Sequence, residues 1–569
     1  MAAPRSVRLV ELRVLEGPNV YFPRPAVKLT VAVPGWLKAS EERAERLGQQ
    51  LKVPGTIGPG QAGSEQRRRF VARLAVHVIR TLARASRSGL AVRGRPGHEP
   101  DEVVVAYPWR HRDAATALGD ETVELLRRLL TAKRPPRELF RESAKRIRSI
   151  PPGPSPELPQ PRVPVIGVTG TNGKTTTVRL LAHLLRSAGR AVAYTSTDGV
   201  YFGEELVEEG DYSGPLGAAA ALAQPGVDAA VLEVARGGIL LTGIGVPQLD
   251  VAVVTNISAD HLGLLGVFSL DQLAEVKASI TRIVKPDGWS VLNADDPRVL
   301  GMGQRAKGRP FVFSLDPDHP AIRWAMAERG RALAPLDGWL TLMRPRQPFQ
   351  PMLPLEEIPV TLAGISSPHT QNAMAAAAAA LGVGLSPEEV VEGLRSFVLD
   401  PETNPGRANL FEIDGRILVV DYAHNEAGME GLAEICRGLQ PPGSQVWLAY
   451  GTAGDRTDVV MHGMGYIAAR AADHVCVVEL HRYLRGRDPK DVIDRLRAGA
   501  IDGGATEVPD FPTELEGLEW MLRGSAPGDV LGITALAQRP EIFELMNSRG
   551  ATRIGAERCR ELARLARAA

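Results

Sequence analysis

The sequence predicts an α/β protein with a central parallel sheet that binds phosphate at one edge, followed by a smaller α/β domain. Three observations support this prediction. Short apolar strands alternate with helices from residue 165 onwards, a Gly-rich turn follows the first of these strands, and a second series of strands begins near residue 401. Such alternation is typical of a parallel sheet with helices on both faces. A chain of 569 residues also exceeds what one hydrophobic core supports, so we expect several domains.

We expect residues 1–150 to form an N-terminal α+β domain. Strands are predicted where β-branched or apolar residues cluster, at residues 7–14, 27–33 and 103–107. Helical periodicity appears at residues 66–85 and 114–131. Arg67, Arg68 and Arg69 are expected on a solvated helix face. This region contains no phosphate-binding motif or catalytic cluster, so its residues alone leave its role open.

Residues 151–164 are predicted to be an extended linker. They contain seven prolines, which fix φ and remove backbone donors. The segment lies directly before the Gly-rich turn and marks a domain boundary.

We expect a central domain at residues 165–400. Its predicted strands are residues 165–169, 191–195, 229–233, 251–255 and 289–292, with helices at 176–188 and 271–284. Ligands of such sheets bind at the carboxyl ends of the strands. Residues 303–360 are rich in proline and arginine and show no clean period.

The Gly-rich turn within PVIGVTGTNGKTTT (residues 164–177) predicts a nucleotide-phosphate site. Backbone amides of such a turn and of the following helix cradle phosphate oxygens. Lys174 would add positive charge, and the Thr175 hydroxyl is a candidate Mg²⁺ ligand. Val168 replaces the first glycine of the Walker pattern, so the loop is a variant. Its candidate ATP-binding residues are Gly170, Thr171, Asn172, Gly173, Lys174, Thr175 and Thr176.

Two further strand ends carry candidate metal ligands. Glu233 ends one strand and precedes Gly237 and Gly238, which favours a Mg²⁺-binding role over an exposed strand-end acid. Asp260 and His261 follow the next strand, and His261 is the second candidate ligand, although a lone histidine is more often structural. Lys277, taken alone, is typical of a surface helix.

We expect a C-terminal α/β domain at residues 401–569, with strands near 417–421, 446–450, 474–478 and 529–534. Asp421 and His424 end one strand, and Arg407 lies before the first. Arg407 and Asp421, brought over the nucleotide from a second domain, could contact it. Alternatively, these residues are loop caps and members of surface ion pairs. The residues leave these two interpretations evenly balanced.

Bulk properties exclude several classes of protein. The net charge of +1 gives no case for nucleic acid as the main partner. No apolar run approaches the length of a membrane span, and the N-terminus lacks the apolar core of a signal peptide. The three cysteines have no metal or disulfide spacing, which fits a reducing compartment. We therefore expect a cytoplasmic enzyme.

The motifs, in their order, resemble the Mur ligase superfamily over residues 162–569, and within it the Mur-like module of the cyanophycin synthetase family. Residues 13–19 and the region 66–131 also resemble the N-terminal domain of that family. Besides the phosphate loop, the matching motifs are TSTDGVY (195–201), LEVARGGIL (232–240), DHLGL (260–264), NPGR (404–407), NLFE (409–412), DYAHN (421–425) and LRGR (484–487).

The resemblance implies roles for individual residues. Lys174 and Thr175 would hold phosphates and Mg²⁺, with Glu233 and His261 as metal ligands. Lys277 matches a lysine that is often carbamylated, and Asn372 matches an asparagine near the adenine. Arg407 and Asp421 match residues that close on ATP. Three positions depart from the family pattern: His369 replaces an Asn, Glu426 replaces a Pro, and Leu265 replaces an Asp.

The resemblance also implies a function and its limits. We expect a ligase that activates a carboxylate as an acyl phosphate with MgATP and joins it to an amino-acid amine, with His424 as candidate base. The proline linker stands where cyanophycin synthetases carry an ATP-grasp domain, which performs the aspartate ligation. The remaining activity would add arginine to an acidic side chain, possible acceptors being an acidic peptide or a small carboxylate.

Two other interpretations stay open. The chain could be a nucleotide-binding but catalytically idle subunit, with a separate ATP-grasp protein as partner. A plain P-loop kinase or ATPase is weaker, because it explains neither the second α/β block nor Lys277. A homo-oligomer is expected by analogy with the family.

Overall fold

The structure is a computed structural model that describes residues 7–54, 58–131, 134–260 and 262–568. The chain divides into two compact units. The first comprises the residues up to Pro161 together with Gly214–Ala219 and Ala235–Pro247. The second comprises Arg162–Ser213, Ala220–Val234 and Gln248–Ala569. Within the described ranges, no helix is long and apolar enough to cross a membrane.

The first unit contains a four-stranded antiparallel sheet in the order β1-β2-β4-β3. The strands are β1 (Arg8–Leu15), β2 (Ala26–Ala32), β3 (Arg93–Pro96) and β4 (Glu102–Pro108). The helices in this part of the chain are α1 (Pro34–Leu37), α2 (Glu41–Leu51), α3 (Glu65–Ala85), α4 (Arg112–Thr131) and α5 (Pro136–Arg148). The apolar faces of α3 and α4 pack with the sheet in one core. The predicted α+β architecture is confirmed.

Arg67 corrects the expectation of a solvated arginine face on α3. Its side chain is fully buried, whereas Arg69 is exposed. The guanidinium of Arg67 donates hydrogen bonds to four backbone carbonyls, those of Trp36, Ala39, Pro59 and Gly60. The carbonyls of Trp36 and Ala39 lie at the end of α1 and just after it, and those of Pro59 and Gly60 lie in the loop before α3. Arg67 therefore satisfies groups that would otherwise be buried without partners.

We predict that Arg67→Met destabilises the first unit by about 3 kcal/mol, because several buried carbonyls lose their donor at once. Hydrogen-exchange mass spectrometry of the full chain checks this through faster exchange in peptides from residues 34–85. Arg69→Met, at a nearby exposed position on the same helix, is the matched control and should change exchange little. Equal effects of the two substitutions would contradict the assigned role.

The second unit begins with an eleven-stranded sheet in the order β15-β14-β13-β12-β11-β10-β5-β9-β6-β7-β8. Its strands are β5 (Val165–Thr169), β6 (Val192–Thr195), β7 (Gly199–Phe202), β8 (Glu205–Glu209), β9 (Ala229–Glu233), β10 (Leu249–Val254), β11 (Val284–Asn293), β12 (Arg309–Phe313), β13 (Arg331–Leu336), β14 (Trp339–Met343) and β15 (Gln350–Pro354). The helices in this part of the chain are α6 (Lys174–Ser187), α7 (Pro215–Leu222), α8 (Arg236–Leu241), α9 (Leu270–Lys277), α10 (Pro297–Met302), α11 (Pro320–Ala327), α12 (Ser367–Gly382) and α13 (Pro387–Ser396).

The centre of this sheet is parallel, as predicted, but both of its ends are antiparallel. From β13 through β12, β11, β10, β5 and β9 to β6 the strands run in one direction, while β14, β15, β7 and β8 are added by hairpins. The turn between β13 and β14 is Asp337-Gly338, with φ of 51° and 80°. Two residues of positive φ form the tight turn that joins antiparallel strands. A parallel neighbour would need a much longer crossover.

The remaining residues form a seven-stranded sheet in the order β20-β19-β18-β21-β17-β16-β22, of which β16 and β22 are antiparallel to their neighbours. The strands are β16 (Asn409–Ile413), β17 (Arg416–Asp421), β18 (Val446–Tyr450), β19 (His474–Val478), β20 (Asp510–Phe511), β21 (Val530–Thr534) and β22 (Thr552–Arg553). The helices are α14 (Glu426–Gly438), α15 (Asp458–Ala471), α16 (Pro489–Asp502), α17 (Glu514–Gly524), α18 (Arg539–Ser548) and α19 (Ala556–Arg567). The predicted smaller α/β block is therefore present.

The two sheets of the second unit are tied together at helix α12. The carboxylate of Glu434 on α14 accepts hydrogen bonds from the backbone amide and the hydroxyl of Ser367, at 2.9 and 2.6 Å. A single cluster of buried apolar side chains extends through the helices of both sheets. These contacts hold α14 beside the first turn of α12. The predicted limits of the central and C-terminal domains, residues 165–400 and 401–569, stay predictions.

Candidate active site

The phosphate loop lies at the carboxyl end of β5, between that strand and α6. Helix α6 begins at Lys174, two residues earlier than predicted. A side chain at Gly173 would place its Cβ 2.1 Å from Asn372 Oδ1, and one at Gly170 would place it 1.8 Å from Thr255 Oγ1. Gly173 also has a φ of +80°, which side-chain-bearing residues rarely adopt. Both glycines are therefore required by the packing around the loop.

The strand next to β5 fixes the shape of this loop. Asn256, just after β10, accepts from the amide of Thr171 through its carbonyl and from the amide of Asn172 through its side chain, both at 2.9 Å. The hydroxyl of Thr255 donates to the carbonyl of Asn172 at 2.7 Å. The loop is thus held in place before any ligand binds.

Two lysines reach the loop from different elements. Lys174 Nζ donates to the carbonyl of Thr171 at 2.8 Å, and Lys277 Nζ donates to the carbonyl of Gly170 at 2.5 Å. Lys277 is only 4% exposed and is the last residue of α9. The surface interpretation of Lys277 is therefore wrong, and its ammonium lies beside the phosphate loop.

Glu233 lies at the carboxyl end of β9 and is 2% exposed. Its Oε2 accepts from the hydroxyl of Thr175 at 2.9 Å, while its Oε1 is buried and has no hydrogen-bond partner within the described ranges. Burial raises the pKa of this carboxyl, and the ammonium of Lys174 opposes the rise. The exposed-acid alternative is therefore wrong.

The arrangement around Glu233 fits a divalent cation bound with nucleotide phosphates. A buried carboxylate oxygen without a donor needs a positive partner. A hydroxyl and one carboxylate, completed by substrate phosphates and water, form a typical Mg²⁺ environment. Among the described residues, no group of three His, Cys, Asp or Glu side chains is placed to hold a metal alone. His261, the other predicted ligand, lies outside the described residues.

Asn372 and His369 lie one turn apart on α12, and both are buried. The amide oxygen of Asn372 accepts from the hydroxyl of Thr177 on α6 at 3.4 Å. Nδ1 of His369 is buried and has no hydrogen-bond partner in the part of the chain that the structure describes. Burial lowers the pKa of His369 to about 4, and the charge of Arg407 acts in the same direction. His369 is therefore neutral at pH 7.

Arg407 and Asp421 lie beside one another at the edge of the C-terminal sheet. The guanidinium carbon of Arg407 is 4.2 Å from the centre of the Tyr422 ring. Asp421 accepts from the amide of Ala408 at 2.8 Å, which shapes the loop that carries Arg407. Burial raises the pKa of Asp421, against the effect of the Arg407 charge. The structure therefore brings both predicted residues together. Asp421 holds the loop that carries Arg407, and Arg407 stacks on the ring of Tyr422.

His424 has one defined ring nitrogen. Its Nδ1 lies 2.8 Å from the carbonyl of Tyr422, and because a carbonyl only accepts, Nδ1 carries the proton. In the neutral form of the ring, Nε2 therefore holds the lone pair. It lies 3.9 Å from a carboxylate oxygen of Asp260. This tautomer is the one that a proton acceptor needs.

Two residues to which the sequence assigned no role, Asn425 and Arg456, contact the central sheet from the C-terminal sheet. The amides of Asn172 and Asn425 exchange two hydrogen bonds, at 3.1 and 3.0 Å. Arg456 Nη2 lies 3.0 Å from a carboxylate oxygen of Asp260. Their sequence signal was weak: each follows a strand end, but only the fold shows which strand ends meet.

Two family models match the chain. The Mur ligase middle domain matches residues 168–380, and the Mur ligase glutamate ligase domain matches residues 406–535. These matches cover the sheet that carries the phosphate loop and most of the sheet that contacts it.

Curated relatives include cyanophycin synthetase of Crocosphaera subtropica, 42% identical over 371 residues, which are 64% of this chain and 42% of that protein. The UDP-N-acetylmuramoyl-L-alanyl-D-glutamate–2,6-diaminopimelate ligase of Alkalilimnicola ehrlichii is 31% identical over 354 residues, 60% of this chain and 66% of that protein. The matched part is thus less than half the length of the cyanophycin synthetases.

Among solved structures, a bifunctional folylpolyglutamate synthase/dihydrofolate synthase with Mn, AMPPNP and L-glutamate bound shares the fold. It has a TM-score of 0.50 and 18% identity, and the match covers 68% of this chain and 90% of that one. The two matched domains, in this order and joined at the phosphate loop, show that the chain belongs to the Mur ligase family of ATP-dependent amide ligases.

Proposed function

We propose that this chain uses ATP to join a carboxylate to the amine of an amino acid. The observation that carries this proposal is the convergence at the phosphate loop. Glu233 and Lys277 approach the loop from the central sheet, while Asn425 approaches it from the C-terminal sheet. A loop that served nucleotide binding alone would not need the contact with the second sheet.

The phosphate loop would bind the nucleotide and neutralise its charge. The first amides of α6 would donate to the phosphates of ATP, and Lys174 would balance the charge that develops during phosphoryl transfer. Mg²⁺, held through Thr175 and Glu233, would supply further positive charge at the phosphates. Lys277, fixed against Gly170, keeps the loop shape and places an amine at the same edge.

The C-terminal sheet would complete the second half of the reaction. A base must take the proton of the attacking amine, and Nε2 of His424 has the required lone pair. Arg407 and Asp421 would close on the nucleotide. The Asn172–Asn425 pair would hold the sheet against the loop, excluding water from the activated carboxylate.

The substrates follow from the resemblance to cyanophycin synthetases. Arginine is the proposed amine donor, and an acidic side chain is the proposed acceptor. The match covers 42% of the relative's length, so this proposal concerns the Mur-type reaction alone. The contact between the C-terminal sheet and the phosphate loop favours a working enzyme over a catalytically idle subunit.

A ligation screen by mass spectrometry tests the proposal. The full chain would be incubated with MgATP, single amino acids as donors and short aspartate- or glutamate-containing peptides as acceptors. We expect a product whose mass equals donor plus acceptor minus one water, and only when ATP is present. If the protein binds ATP but forms no such product with any pair, even with an ATP-grasp partner added, the idle-subunit interpretation would be correct.

We predict that Glu233→Gln lowers ligation at least about 100-fold, because it removes the charge that holds the cation. The fold should persist with an equal or higher melting temperature, because the neutral amide avoids the cost of a buried carboxylate. The control is Asp211→Asn, an exposed carboxylate whose charge acts on Glu233 from outside the loop. It should change the rate less than about threefold.

We predict a pH effect on stability from His369. Its folded pKa is about 4, below the usual value of 6.5, so between these values the unfolded chain binds a proton that the folded chain does not. Stability is therefore lost as the pH falls. By pH 5 the loss is about 2 kcal/mol.

His369→Asn should remove this loss, so the stability difference between wild type and variant changes by about that amount between pH 7.5 and 5. Urea unfolding at both values measures it. His462→Asn, at an exposed position, is the control. Parallel pH profiles for the wild type and the His369→Asn variant would contradict the assignment.

A further inference from the structure

Three arginines gather at the edge of the central sheet opposite the phosphate loop. Arg309 is the first residue of β12 and pairs in register with Trp289 on β11, and Arg331 is the first residue of β13. Arg344 directly follows β14, whose antiparallel direction brings its end to the same edge. All three belong to the Arg-rich segment 303–360, to which the active site assigns no role.

A buried indole organises the group. Trp289 is 4% exposed, and the guanidinium carbons of Arg309 and Arg331 lie 4.0 and 4.7 Å from the centre of its ring. Because Trp289 is fixed in the core, it limits where the two guanidinium groups can lie. Two of the three guanidinium groups therefore lie against one fixed ring.

The arginines have few acceptors for their hydrogen-bond donors. Arg331 donates to the carbonyl of Leu381 at 3.4 Å, Arg309 to the carbonyl of Asp287 at 3.2 Å, and Arg344 to the amide oxygen of Gln350 at 2.5 Å. Each guanidinium has five N–H groups, so most remain without an acceptor among the described residues. The Nε of Arg344 is buried and has no partner within the same ranges.

No carboxylate among the described residues forms an ion pair with any of the three. Arginines elsewhere in the same unit have such partners, for example Arg282 with Glu275 at 2.6 Å. Burial lowers the pKa of Arg331, and the charges of Arg309 and Arg344 lower it further, so Arg331 is partly desolvated and lies beside two like charges. The partial negative charge at the C-terminal end of α12 favours one nearby cation, Arg331. It does not explain why Arg309 and Arg344 lie there as well.

We propose that Arg309, Arg331 and Arg344 form a binding site for an oxyanion group, either a phosphate or a carboxylate. Their planar forks match both groups, and a bound anion would offset the mutual repulsion and accept from the free N–H groups. The site lies at the amino ends of the strands, whereas the phosphate loop lies at the carboxyl end of β5. It is therefore separate from the ATP site, and its existence does not depend on the ligase activity.

Titration calorimetry on the full chain tests this site. Saturating ADP and Mg²⁺ would occupy the phosphate loop, and inorganic phosphate and an octa-aspartate peptide would be titrated in separate arms. The test variants are Arg309→Gln and Arg344→Gln, because Arg331 also holds the end of α12. The matched control is Arg323→Gln, an exposed arginine on α11, which packs with the opposite face of the sheet. Unchanged ADP affinity would show that each variant is folded.

We expect at least one of the two ligands to bind, and each test substitution to weaken that binding at least about tenfold. The control should bind as the wild type does. Binding heat with inorganic phosphate would identify the oxyanion as a phosphate, and binding heat with the octa-aspartate peptide would identify it as a carboxylate. The proposal is overturned if neither ligand binds, if both test variants bind like the wild type, or if the control weakens binding equally.

Discussion

The structure depends on the backbone of the phosphate loop being held in shape by groups of the neighbouring elements. Asn256, just after β10, accepts from the amides of residues 171 and 172, and Thr255 donates to the carbonyl of residue 172. Lys277 fixes the carbonyl of residue 170. Because the amides of residues 171 and 172 are used in holding the loop, the amides that face a ligand are those at the start of α6. Preorganisation of this kind lets a site stabilise developing charge without rearranging.

The position of the phosphate loop also depends on the C-terminal sheet. Asn425 caps α14 through the amide of Gly428 and at the same time pairs with Asn172 of the loop. The side chain of Asn425 therefore caps a helix that follows a strand of the C-terminal sheet, and it also contacts the phosphate loop of the central sheet. In the proposed function the reacting groups are divided between the two sheets, so contact between the sheets would be needed to exclude water from the activated carboxylate.

Much of the fold could be predicted because it depends on patterns of apolar and turn-forming residues that are close together in the sequence. The central strands, the glycine turn and Glu233 follow from apolar runs and from residues at strand ends. Other features depend on contacts between residues far apart in sequence. Asn172 and Asn425 are 253 residues apart, and no periodicity shows that they pair. Arg67 is of a residue type that is usually exposed, but it is buried, because the carbonyls it binds come from the end of α1 and from loops that only the fold brings together. The hairpin at Asp337-Gly338 had a local signal, and it was missed within a proline-rich segment.

In the proposed function, the loop and the C-terminal sheet form a single centre that couples ATP to amide formation. Release of ADP, measured with the carboxylate acceptor alone, the amine alone and both together, tests this coupling most directly. We predict sustained ADP release only when both substrates are present, in a one-to-one ratio with the amide formed. ADP release at the same rate without the acceptor or without the amine would contradict it.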